Sequence, residues 1–247
     1  MEQIAIISDI HGNLPALEAV LEDIRQRQIE RIYCLGDLVG KGPDSAAVID
    51  LCRDVCTATV RGNWDETMVD EERGTSAHWQ WNRERLGHAR LTYLRNLPFA
   101  VDFLISGRRV RLFHASPQSV HHRVSFRHDF QRLRDMFLNT DATGHEQPPP
   151  AIVGYGDIHH PYLLPVDRGR LFNVGSVGNS LDYCTLAGYA ILRGEWESTV
   201  EGPLGIEIVR VPYDIERALA IARAVTMPKY AEYEFELRTA DHRSQMP

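Results

Sequence analysis

The first ninety residues alternate short apolar runs with segments of helical spacing, the pattern of strand–helix–strand units built on a parallel sheet. IAIIS at 4–8 is a short buried run. After it, Asn13 caps a helix whose Leu14, Leu17, Leu21 and Ile24 keep helical spacing, with Pro15 tolerated in its first turn. RIYCL at 31–35 repeats the strand, Asp44 caps a second helix burying Val48, Leu51, Cys52 and Val55, and CTATV at 56–60 is a third strand. From Trp64 to about Leu97 the pattern is helical but polar, and predicts a segment packed over the sheet edge. AVDFLI and RVRLFH flank Ser106, Gly107 and Arg108, which reads as a hairpin. A helix near 129–138, a loop at 140–150 and the strand AIVGY follow. Strands at 171–174, 186–193 and 206–211 precede a helix at 214–225, and the last dozen residues are expected to fray. The expectation is one domain over 1–247, with strand and helix 206–226 packed on it.

Composition narrows the class. At 43% hydrophobic and 25% charged the chain sits at globular averages, which excludes disordered, collagen-like and coiled-coil readings. Apolar stretches such as LAGYAIL at 186–192 fall far short of the roughly 20 residues of a membrane span. No membrane partner is expected. MEQIAIISDIHG lacks the basic start and apolar centre of a signal peptide. Cys34, Cys52, Cys56 and Cys184 form no CxxC pair, so neither a disulfide framework nor a thiolate zinc site is expected, and a cytoplasmic location fits. The net charge of −7 argues against a stable nucleic-acid complex. Residues 81–134 run against that balance, with eleven Arg against Glu84, Asp102 and Asp129, and predict a region built for anions.

The residues just after each strand carry the chemistry, because ligands of open α/β sheets collect beyond the carboxyl ends of the strands. Strand one ends in Asp9 and His11, strand two in Asp37 and strand three in Asn63. RVRLFH ends in His114, and AIVGY leads into Asp157 and His159. Seven oxygen and imidazole donors without thiolate suit Mn²⁺, Fe or Zn²⁺, and are too many for one tetrahedral ion. Two divalent ions sharing a bridging carboxylate is the natural count. Gly12, Gly36, Gly62 and Gly156 adjoin these donors and permit close backbone approach.

The ordered set resembles the calcineurin-like metallophosphoesterase superfamily, whose pattern is D-x-H, GD with a Gly-rich turn, GN-H-[DE], a lone His, and G-H-x-H. FNVGSVGN at 172–179 is similar to that family's closing NPGSVG segment. The resemblance implies an α/β fold, a four-layer sandwich of two mixed β-sheets flanked by helices, bearing a dimetal phosphohydrolase. It implies Asp9, His11 and His159 on the first metal, Asp37 bridging, and Asn63 and His114 on the second. The implied catalytic set is Asp37, Asn63 and His114. The implied reaction is in-line attack of a metal-held hydroxide on phosphorus. Manganese is the expected metal, with iron or zinc as alternatives.

Two departures bear on that reading. Asp157 stands where G-H-x-H has its first imidazole; it binds metal directly, binds through water, or orients His159. Trp64 stands where the family's leaving-group acid is usually assigned, which points to phosphodiesters, phosphoanhydrides of the dinucleoside polyphosphate type, or activated esters. Trp64, His121, His122 and Arg123 are the expected substrate-binding residues, with His121 or His122 as a substitute acid. The partner is a small phosphorylated substrate, such as a nucleotide. Trp79 and Trp81 read as core, and His160 as a loop residue. The sequence leaves open the oligomeric state, and two other functions: a scaffold that keeps the fold with weak catalysis, and a protein phosphatase.

Overall fold

The computed structural model describes residues 1–246. Its first half runs β1 (Glu2–Ile7), α1 (Leu14–Gln26), β2 (Arg31–Cys34), α2 (Ser45–Val55), β3 (Ala58–Thr59), α3 (Asn63–Val69) and α4 (Ala77–Arg95). Then come β4 (Ala100–Ile105), β5 (Arg108–Phe113), α5 (Phe130–Asp135), β6 (Ile152–Tyr155), β7 (Tyr162–Val166) and β8 (Gly169–Asn173). β9 (Ala187–Gly194), β10 (Gly205–Val211), α6 (Ile215–Ala224) and α7 (Tyr230–Thr239) complete it.

Ten strands make two five-stranded sheets, in the orders β10-β9-β1-β2-β3 and β4-β5-β6-β8-β7. Both are mixed. β1 runs parallel to β2 and antiparallel to β9, while β5, β6 and β8 run parallel beside antiparallel β4 and β7. The buried run in β1 shows why four layers form. Side chains alternate across a strand, so Ile4 and Ile6 enter one core and Ala5 and Ile7 another. The first core lies between the sheets, with Val110, Leu112 and Phe172 opposite. The second joins the sheet to α1 and α2 through Leu17, Val20, Val48 and Ile49. On the far side, Phe113, Val153 and Leu171 meet Leu133 of α5. This is the expected sandwich of two mixed sheets flanked by helices.

Several local expectations are corrected. Asn13 accepts a hydrogen bond from the Ala16 amide, but Asp44 makes no side-chain cap bond. The polar helical stretch is two helices, the second kinked at Gly87 (φ 71°), and it packs on α2 and α3. Pro165 masked β7, which the sheet tolerates because β7 is an edge strand. The expected fraying at the end is overturned. α7 buries Tyr233 and Leu237 against α6 and Trp81, and its buried Glu236 is tied to Arg243. Among the described residues no helix is long and apolar enough to cross a membrane.

Candidate metal centre

The parallel strands β1, β2 and β3 of one sheet and β5 and β6 of the other aim their carboxyl ends at one rim. The loops there bring together all seven sequence-predicted donors. Five of them, Asp9, His11, Asp37, Asp157 and His159, have φ between 50° and 63°, the left-handed region that non-glycine residues seldom occupy. Cross-loop amide bonds hold that backbone: Asp9 N donates to Gly36 O (3.0 Å) and His11 N to Asp37 O (2.9 Å). Asp65 clamps a third loop, its carboxylate accepting from the amides of Asp37, Leu38 and Gly62 at 2.8, 2.9 and 3.0 Å. A Cβ on Gly62 would lie 2.1 Å from Asp37 Oδ1, and one on Gly156 would lie 2.1 Å from Ser8 Oγ. Only glycine lets these loops converge so closely.

Each imidazole is pinned through Nδ1 to a backbone carbonyl. His11 bonds Val39 O (3.0 Å), His114 bonds Leu35 O (2.8 Å) and His159 bonds Asn179 O. Those bonds place a proton on Nδ1 of each ring and turn each Nε2 inward, where its lone pair is offered once any second proton is displaced. His11 Nε2 then lies 3.1 Å from His159 Nε2, and His114 Nε2 lies 3.1 Å from Asn63 Oδ1. Asp9 Oδ2 accepts from Ser8 Oγ (2.6 Å) and the Asp157 amide (3.0 Å), whereas Oδ1 is buried, receives no backbone or hydroxyl hydrogen bond, and faces His159 Nε2 at 3.1 Å. Acceptors facing acceptors in a dry pocket call for cations.

The donor atoms fall into two groups. Asp9, His11 and His159 offer atoms within 4.8 Å of one another, and so do Asp9, Asp37 and His114. Asp9 is common to both groups, and Asp37 Oδ2, in the second, stands 3.5 Å from both His11 Nε2 and His114 Nε2. Titration follows from the same crowding. Burial pushes the Asp37 carboxyl well above the carboxylate range, with Asp9 and Asp65 adding to the rise against the pull of His114. Burial opposes the protonation of His114, but the carboxylates of Asp37, Asp9 and Asp157 outweigh it and raise that imidazole to about 9. Burial drives His11 well below its usual value. Asp9 is held low, its burial outweighed by the imidazoles of His159, His114 and His11. The residues present fit hard divalent cations, which displace protons from such a set.

A cleft of about 340 Å³ opens on this centre, lined by Asp37, Lys41, Trp64, Arg123, Asp157, Ile158, His159, Leu181, Lys229, His242 and Arg243. Trp64 stands edge-on to His11, ring centroids 5.2 Å apart, and backs onto Trp79 at 4.6 Å. Arg123 reaches the cleft but donates twice to Asp157, at 2.9 and 2.8 Å. His121 and His122 do not line the cleft. Ser116 and Ser119 tie the intervening chain into a turn, and His121 is drawn to Glu66 (2.6 Å) and Arg73 (2.9 Å). Nor is the Arg-rich stretch an anion surface as a whole: Arg109 and Arg111 pair with Asp102, Arg90 with Asp50 and Arg134 with Asp167. Sequence reasoning passed over Asp65, Lys41, Asn179 and the C-terminal cations. Of these Asp65 and Asn179 carried a signal, as the last letters of GNWD and FNVGSVGN.

This fold and constellation define a class. Residues 2–195 match the calcineurin-like phosphoesterase superfamily domain, and the chain belongs to that superfamily. It is a metal-dependent phosphoesterase, a hydrolase. A relative from Methanocaldococcus jannaschii, described only as an uncharacterized protein, is 34% identical over 227 residues, covering 87% of this chain and 89% of that protein. The phosphodiesterase YfcE of Escherichia coli is 32% identical over 148 residues, covering 49% of this chain and 80% of YfcE. A metallophosphoesterase from Sphaerobacter thermophilus superposes with a TM-score of 0.73 at 26% identity, over 97% of this chain and 99% of that one. A Pyrococcus horikoshii protein shares the fold at TM-score 0.78 and 19% identity, over 98% and 100% of the two chains.

Proposed function

We propose that the chain is a dinuclear, Mn²⁺-preferring hydrolase of phosphodiesters or phosphoanhydrides, acting on a small phosphorylated substrate such as a nucleotide. Asp9, His11 and His159 would hold one ion and Asn63 and His114 the other, with Asp37 shared. The observation that carries this reading is the buried Asp9 Oδ1 crowded by inward-facing imidazole nitrogens, His159 Nε2 at 3.1 Å among them. When bound, the ions supply Lewis acidity that neutralises phosphate charge and lowers the pKa of the attacking water. The protein's own residues do the rest. The three Nδ1–carbonyl bonds fix ring orientation, and Asp65 fixes the loop that carries Asp37. Arg123 holds both oxygens of Asp157, which supports a role for Asp157 in orienting the centre through its amide bond to Asp9. Trp64 gives the cleft an apolar wall, and its amide donates to Asp37 Oδ1 at 2.8 Å.

The relation to YfcE, named a phosphodiesterase, supports diesters over monoesters. So does the indole in the cleft, which cannot protonate a poor leaving group. The test is turnover of bis-p-nitrophenyl phosphate by chelator-stripped protein with and without Mn²⁺, Fe²⁺ or Zn²⁺. Reversible loss with best recovery on Mn²⁺ is expected; full turnover by the stripped protein would sink the reading.

A further inference from the structure

The matched domain ends at residue 195, yet Lys229, His242 and Arg243 line the cleft from beyond it. Four Lys and Arg side chains face that space, and three are engaged. Arg123 donates twice to Asp157. Arg243 donates twice to Glu236, at 2.6 and 2.8 Å, and Lys41 donates to Asn179 (2.5 Å) and Glu236 (3.4 Å). Among the described residues the Lys229 ammonium makes no hydrogen bond or ion pair, and it is the cation left for a ligand.

Its position is also a poor one for the fold. Lys229 is the N-cap of α7 at φ 63° and ψ 33°, makes no side-chain cap bond, and sets a positive charge on the positive end of the helix. Its carbonyl accepts from the Tyr233 amide (3.2 Å), but a left-handed, non-glycine residue whose side chain does not cap its helix is a candidate for function. Behind it the cluster of Lys41, Glu236 and Arg243 holds two positive charges against one negative, so this wall of the cleft is net cationic. A cleft of about 340 Å³ falls within the range of small-ligand sites.

Resting on the phosphoesterase reading above, we infer that Lys229 is a specificity-determining residue. It binds an anionic group of the substrate beside the phosphorus that reacts, so that substrates with at least two phosphate groups are preferred. The test is equilibrium dialysis of AMP and of the methylene-bridged analogue of ADP, with free Mn²⁺ held constant. The wild type should bind the two-phosphate ligand about tenfold more tightly than AMP, the scale of a charge-assisted contact. Lys229→Gln should close most of that gap, Lys229→Arg should keep it, and Lys229→Glu should abolish it. Equal binding of the two ligands by the wild type, or a full gap in Lys229→Gln, would overturn the inference. Bis-p-nitrophenyl phosphate turnover is measured in parallel. A binding gap that depends on Lys229 without turnover supports this subsite while refuting the proposed hydrolysis, so the two ideas fail separately.

Discussion

Glu236→Gln tests how the C-terminal helix supports the centre. Glu236 is 1% exposed and accepts from Arg243, Lys41 and Asn179. Burial works against its charge, but Arg243, Lys41 and Asn179 outweigh burial and hold the carboxyl down from 4.5 to about 2. At about 1.4 kcal/mol per pH unit, the charge contributes about 3 kcal/mol at neutral pH. That agrees with the roughly 3–5 kcal/mol lost when one partner of a buried ion pair is removed. The unfolded chain binds the proton at higher pH than the folded one. The contribution is therefore complete above pH 4.5 and is lost as the pH falls through about 2. Urea unfolding of the wild type and Glu236→Gln at pH 7 and pH 3 should show a stability gap of about 3 kcal/mol shrinking to about 1. A gap below about 1 kcal/mol at pH 7, or one that ignores pH, would refute the reasoning.

Asp37→Asn should lower the content of both metals together, read by elemental analysis, because Asp37 lies 3.5 Å from an imidazole of each group; unchanged metal content removes it from the bridging position. Asp157→His should free the Arg123 guanidinium and add an imidazole beside the centre, shifting activation from Mn²⁺ toward Zn²⁺; metal profiles identical to wild type would show that a side chain at 157 does not reach the ions. Across aryl and alkyl esters, rates should fall steeply with leaving-group pKa, since Trp64 cannot supply the roughly 10²–10⁴-fold that a positioned acid gives. Alanine at His121 or His122 should leave that slope unchanged, as neither lines the cleft; a steeper slope in either variant would restore it as the acid.

The donors were legible because each follows a short apolar run, and the physics of a strand end places the next few residues on a loop at the rim. Asn63 illustrates this: β3 is only two residues long, yet the chain after it still delivers Asn63 to His114. The C-terminal wall was not legible. α7 reads YAEYEFELRT, with polar residues on every side, and its helix is secured by Glu236 meeting Lys41 and Arg243, a contact 195 residues away in one case. His121 and His122 fail for the opposite reason. Closeness to His114 in sequence suggested closeness in space, but a turn stitched by two serines, and Glu66 on α3, took His121 elsewhere.

The backbone of the centre explains why these loops are tied so thoroughly. Left-handed φ at five donor residues costs on the order of 1–3 kcal/mol each. Part of the offset comes from the partner loop: Asp9, His11 and Gly12 donate their amides to Gly36, Asp37 and Leu38 in succession, so the first two loops are paired amide to carbonyl. Asp65 then joins the second loop to the third, and the Ser176 hydroxyl donates to Asp9 O to join the first to the segment after β8. Carboxylates and imidazoles that would repel or protonate one another are thereby held in place by neutral backbone bonds before any cation arrives. The same bonds make each donor's position depend on a loop from another strand, so the centre responds as one unit to a change in any of them.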